Sequence, residues 1–153
     1  MILPESKYRQ FGTPNMKVKG LVIHNTNTPQ NARKTALWIK QTDTSKGCHF
    51  IVDADEIIQV MPLDWSAFNT GMGMDFGNTS CISIEICTDP SEARYEQGER
   101  KAIDLIKLLM KDFGLDLTQV YFHRDFNQNV NCPAQILRRY GTKQNFLRKL
   151  KGE

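Results

Sequence analysis

The chain has 153 residues and a net charge of only +3, with 40% hydrophobic and 24% charged residues. That is the balance of an ordinary soluble protein of one domain, residues 1–153. No apolar run approaches the ~20 residues needed to span a membrane. The start, MILPESKYRQF, lacks a basic region followed by an apolar stretch, so it does not read as a secretory signal.

In chain order, residues 18–23 form a short buried-strand pattern that runs directly into His24. Thr28-Pro29 then reads as a helix cap and first turn, with Ala32, Ala36, Leu37 and Ile39 supporting a helix to about Lys40. After a polar loop, residues 49–52 and 56–61 are β-rich runs around Asp53-Ala54-Asp55, the pattern of a hairpin with an acidic turn. Residues 64–79, glycine-rich and aperiodic, read as one long loop carrying Trp65, Phe68 and Asn69.

Residues 81–87 alternate, with Ile82, Ile84 and Ile86 on one face and Ser83 and Glu85 on the other. Apolar residues at helical spacing predict a helix over about 92–113, stopped by Gly114 and lying on the isoleucine face. Residues 120–122 form another strand that ends on a histidine, His123. A loop to Cys132-Pro133, a short helix to Tyr140 and a basic helix from Thr142 complete the chain. The order of elements implies an α/β fold, a mixed central β-sheet packed by helices.

Residues 137–152 hold Arg138, Arg139, Lys143, Arg148, Lys149 and Lys151 with no acid among them. Without a basic recognition helix or an aromatic RNA-binding signature, this reads as a solvated helix face, and neither nucleic acid nor membrane is expected as a partner. Cys81 and Cys87, at opposite ends of one strand, stand about 20 Å apart and cannot form a disulfide together. With Cys48 and Cys132 they are expected as free thiols.

Two histidines at the ends of separate strands, and a cysteine nine residues after the second, are residue types that suit zinc. Three such ligands leave the fourth tetrahedral position open, as in a catalytic centre. Spacing alone also allows each histidine to be a hydrogen-bonded structural residue. His49, inside a strand pattern, reads as structural.

Four ordered segments, VIHNT at 22–26, CHFIVD at 48–53, SIEIC at 83–87 and HRDFNQNVNCP at 123–133, resemble the type 2 N-acetylmuramoyl-L-alanine amidases. That family includes phage endolysins, bacterial autolysins and peptidoglycan recognition proteins. The likeness covers residues 18–137 and is closest to the catalytic domains of endolysins from phages of Gram-positive hosts.

The resemblance implies Zn2+ in a surface groove, held by His24, His123 and Cys132, with Glu85 assisting the attacking water. It implies peptidoglycan, both glycan strand and stem peptide, as the partner. It also implies action on the wall after release from the cytoplasm, and a separate wall-binding domain outside this chain. Trp65, Phe68 and Asn69 are expected to line the groove.

The chain departs from the family at three places. Cys48 replaces an aromatic residue, and Phe68-Asn69-Thr70-Gly71 stands where relatives read W-H-A-G. Val130 occupies the position of an oxyanion-stabilising lysine or threonine, which leaves Asn129, Asn131 or nearby backbone amides for that role. The alternatives are a non-catalytic peptidoglycan-binding module of the same fold and a cysteine hydrolase using Cys132 or Cys48.

Overall fold

The structure is a computed structural model describing residues 1–153. Five strands form one sheet: β1 (Gly20–Asn25), β2 (Phe50–Val52), β3 (Ile57–Gln59), β4 (Cys81–Ile86) and β5 (Val120–Phe122), in the order β3-β2-β4-β1-β5. β2, β4, β1 and β5 are mutually parallel and only β3 is antiparallel, paired with β2. The Asp53 carboxylate closes that hairpin by accepting the Asp55 and Glu56 N–H groups, each at 2.8 Å.

The alternation read in residues 81–87 sorts the two sides of the sheet. Ile82, Ile84 and Ile86, fully buried, pack with Leu21, Ile23, Phe50, Val52 and the helix α4 (Glu92–Phe113), as expected. Burying those three isoleucines stabilises the fold by roughly 5–9 kcal/mol before chain entropy is counted. Ser91 caps α4 at its start. At its end Gly114, at φ 63°, turns left-handed and donates back to the last carbonyls. The short helices α6 (Ala134–Tyr140) and α7 (Lys143–Lys151) close the same face through Ile136, Phe146 and Leu150.

A second core covers the other face. It joins Ile51, Ile58 and Met61 to Ala32, Ala36 and Ile39 of α2 (Ala32–Gln41) and to Leu3, Tyr8 and Phe11 around the N-terminal turn α1 (Glu5–Tyr8). Helix α2 begins later than the Thr28-Pro29 signal suggests. Asn31 is its cap, accepting from Lys34 N–H at 2.8 Å, and Asp53 accepts the Ala32 N–H at 2.6 Å. A tertiary acceptor from the hairpin thus sets the start of the helix.

The loop over 64–79 is also less open than expected. It ends in a buried one-turn helix, α3 (Phe76–Ser80), capped by Asp75. A further turn, α5 (His123–Phe126), begins at His123 where a loop was expected. All four cysteines are free. Several basic residues of the C-terminal segment are not unpaired as the local sequence suggests: Arg138 and Arg139 reach Glu92, Arg139 also meets Glu99 at 3.2 Å, and Lys143 pairs with Asp125. No helix is long and apolar enough to cross a membrane.

Candidate metal centre

β1 and β4 run side by side in parallel with His24 opposite Glu85, both near their carboxyl ends and on the α2 face of the sheet. The chain leaves β1 through α2 on one face and β4 through α4 on the other, and beyond these strand ends lies a crevice lined by Asn31, Asp53, Thr88 and Asp89. β5, on the far side of β1, delivers His123 beside His24, and the loop after α5 returns Cys132 to the same point. One donor atom from each of His24, His123 and Cys132 lies within 4.8 Å of the others. The two imidazole centroids are 4.7 Å apart, and Cys132 Sγ is 3.7 Å from His24 Nδ1.

The outer nitrogen of each ring is occupied. Nδ2 of Asn69 donates to the Ala67 carbonyl at 2.6 Å, which turns Oδ1 of Asn69 toward His24. An amide oxygen only accepts, so His24 carries its proton on Nε2 and donates it over 2.9 Å. In the same way His123 Nε2–H donates to the Thr70 carbonyl at 2.9 Å. Both rings therefore keep an unprotonated Nδ1 as the ligand nitrogen. Burial pushes the pKa of His24 down to about 3, with His123 adding to the shift and the Asn69 bond opposing it. His123 is lowered too, by burial first and also by Lys46.

Lys46 was passed over as part of a polar loop. Its neighbour Gly47 is tied to Phe68 by a 3.0 Å backbone bond, which anchors the loop beside the centre.

Glu85 Oε1 stands 3.9 Å from His24 Nδ1. Because His24 is neutral, this is proximity and not an ion pair. Burial raises Glu85 to about 7. Cys132 is pushed up to about 12, by burial first and then by the Glu85 charge. A thiol so placed ionises only against a cation, and its neutral histidine neighbour cannot supply one. The set of two neutral imidazoles and a cysteine fits zinc, and it does not form the thiolate–imidazolium pair of a cysteine hydrolase.

Two of the sequence-read groove residues have other roles. Trp65 is buried in the second core, edge-on to Tyr8 at 4.7 Å with Arg9 over its face, so it packs and does not line the groove. Asn69 is buried, with its oxygen on His24 and its amide nitrogen on the Ala67 carbonyl, so it supports His24. Phe68 remains half-exposed beside Asn69. Asn129 and Asn131 lie exposed on the loop before Cys132, but the Asn129 and Val130 N–H groups donate within that turn to Asn127. Those two backbone donors are unavailable to an oxyanion.

His49 is structural, as read. Its Nε2–H donates to the Trp65 carbonyl at 2.7 Å and its Nδ1 accepts the Ser83 N–H at 2.9 Å.

Sequence reasoning missed Asn25. Its Oδ1 accepts the Gln135 and Ile136 N–H groups, at 2.9 and 3.1 Å, at the start of α6, where Pro133 provides no side-chain cap. Its Nδ2 donates to the Ile86 carbonyl and Tyr95 hydroxyl. Only its position next to His24 could have drawn attention to it.

A profile of the N-acetylmuramoyl-L-alanine amidase family matches residues 14–135. The chain belongs to that family. Among its relatives, CwlA of Bacillus subtilis (strain 168) is 33% identical over 138 residues, 89% of this chain and 50% of that protein. XlyB of the same strain is also 33% identical, over 89% of this chain and 43% of that protein. Both are named N-acetylmuramoyl-L-alanine amidases, and the chain spans about half the length of these curated relatives.

The same fold is found in solved structures. PlyL superposes with a TM-score of 0.90 at 27% identity, covering 98% of this chain and 94% of that one. The PlyG catalytic domain gives 0.89 at 29%, covering 99% and 91%. The expected α/β class with a mixed, helix-packed sheet is the fold of these structures.

Proposed function

We propose that this amidase chain hydrolyses the amide bond between N-acetylmuramic acid and L-alanine in bacterial peptidoglycan, with Zn2+ held by His24, His123 and Cys132. The observation that carries the reading is the convergence of these three donors, both imidazoles fixed with Nδ1 free, around a carboxylate 3.9 Å from one of them. Family membership supports the substrate class. The wall, reached after release from the cytoplasm, is the proposed place of action.

Zn2+ held there would polarise the scissile carbonyl, acidify water and draw the Glu85 carboxyl toward its ionised form. Glu85 is the group in this chain able to move the proton. It stands on rigid β4 beside His24, and its affinity for a proton lies near neutrality. It takes a proton from the attacking water and returns it to the departing amine. Asn69 and Thr70 hold the histidines oriented, with Nδ1 toward the centre, while this happens. Half-exposed Phe68 and the exposed Asn129 and Asn131 are the proposed substrate contacts beside the centre.

The test is the release of free amino termini from purified Gram-positive walls. Release should vanish on chelation, return with zinc, and fall by about 10²–10⁴ in Glu85→Gln. Tight wall binding without any release would replace this reading with the non-catalytic binding module.

A further inference from the structure

We infer that Asn78 is a positioning residue that sets both histidine ligands at once, through the short segment Asn69-Thr70. The inference rests on the metal reading above. Its geometry begins one step behind the residues that touch the imidazoles. Asn78 lies in α3, 1% exposed, and its Oδ1 accepts two consecutive backbone N–H groups, Asn69 at 2.6 Å and Thr70 at 2.9 Å. Those are the two residues whose oxygens receive the outer N–H of His24 and of His123. One amide oxygen thus stands behind both rings.

Asn78 is itself held on two sides. Its N–H donates to Asp75 Oδ1 at 2.8 Å, and its Nδ2 donates to the Gly73 carbonyl at 2.7 Å, which fixes the direction of the amide. The other carboxylate oxygen of Asp75 accepts the Thr70 hydroxyl at 2.9 Å, so the same cap steadies the segment a second time. With Gly71 and Gly73 both at positive φ, the backbone between Thr70 and α3 has little stiffness of its own. The side-chain clamp supplies it. Losing the clamp lets the Asn69 and Thr70 oxygens drift from Nε2, which frees each imidazole to rotate or to exchange tautomer. Groups that orient metal-bound histidines in this way typically carry 10–100-fold in metal affinity.

Three variants test the assignment: Asn78→Ala removes the clamp, Asn78→Asp keeps the double acceptor, and Thr79→Ala removes only the Thr79 hydroxyl bond to the Asp75 carbonyl in the same short helix. Zinc affinity is read by chelator competition, and the protonated ring nitrogens of His24 and His123 by 15N NMR on the chelated protein. The expected result is a 10–100-fold loss of zinc affinity and loss of the fixed Nε2–H signals in Asn78→Ala. Asn78→Asp, which keeps the acceptor but loses the donor to Gly73, should lose less than Asn78→Ala, and Thr79→Ala should be unchanged.

A folded Asn78→Ala protein with wild-type affinity and tautomers overturns the assignment. So does an equal loss in Thr79→Ala, which would show that any disturbance of α3 suffices. If the wild type takes up no zinc, the metal reading fails, while the NMR signals still decide the clamp.

Discussion

Asn25→Ala is the substitution whose cost follows most directly from the structure. It strands two N–H groups at the start of α6 and the Tyr95 hydroxyl, and takes from the buried Ile86 carbonyl one of its two donors, the other being the Thr26 N–H. An orphaned buried group costs about 1–3 kcal/mol, so the two backbone donors alone come to roughly 2–6 kcal/mol. About 4 kcal/mol is a large share of the ~5–15 kcal/mol that holds a domain together, and it lowers Tm by roughly 8–16 °C at this size. Tyr95→Phe, which breaks only one of the four bonds, should cost about 1 kcal/mol. Urea and thermal unfolding in the presence of chelator measure both without a contribution from bound metal. If Asn25→Ala loses less than about 1 kcal/mol, or no more than Tyr95→Phe, the idea that Asn25 caps α6 from β1 is wrong.

Acid should weaken the fold partly through His49. Its folded pKa is pushed down to about 4 by burial, against 6.5 in the unfolded chain. Between those values the unfolded state binds the extra proton, so stability is full above pH 6.5 and falls as pH drops to 4, by about 3 kcal/mol in all. Urea unfolding of His49→Asn across pH 4–8 should show a shallower fall than wild type; parallel curves would remove His49 from the account. At Gly12 an added Cβ would lie 2.0 Å from the Ser66 carbonyl oxygen, so Gly12→Ala should cost at least about 1–3 kcal/mol in thermal melting, and an unchanged Tm would contradict that contact. Lys46→Ala removes a positive charge that disfavours the His123 imidazolium, so His123 should protonate at higher pH in the chelated protein. Imidazole NMR shifts follow this directly; a lower or unmoved midpoint would place Lys46 elsewhere.

What could be read in the sequence was what local pattern encodes. The run Leu21-Val22-Ile23 into His24, the strand into His123 and the isoleucine alternation located three strands and two donors before any coordinates. Helix α4 follows from its period and Gly114. Cys132 entered on spacing alone as a possible third donor, and the resemblance gave that spacing its weight.

The rest depended on contacts between distant residues. Asn69 looked like a group for substrate because nothing local shows that its oxygen meets a ring 45 residues away. Trp65 looked like a groove aromatic because its partners Tyr8 and Arg9 lie far off in the chain. The sequence Phe-Gly-Asn-Thr-Ser of α3 has poor helix propensity and folds because Asp75 caps it and Asn78 is bonded from outside.

The amide at position 69 has one more consequence. A histidine there, as in the W-H-A-G relatives, would add a further group able to gain or lose a proton. Asn69 has no such freedom. Its oxygen presents the same face to His24 in mild acid and in mild base, so the pH response of the centre comes only from the groups that do the chemistry.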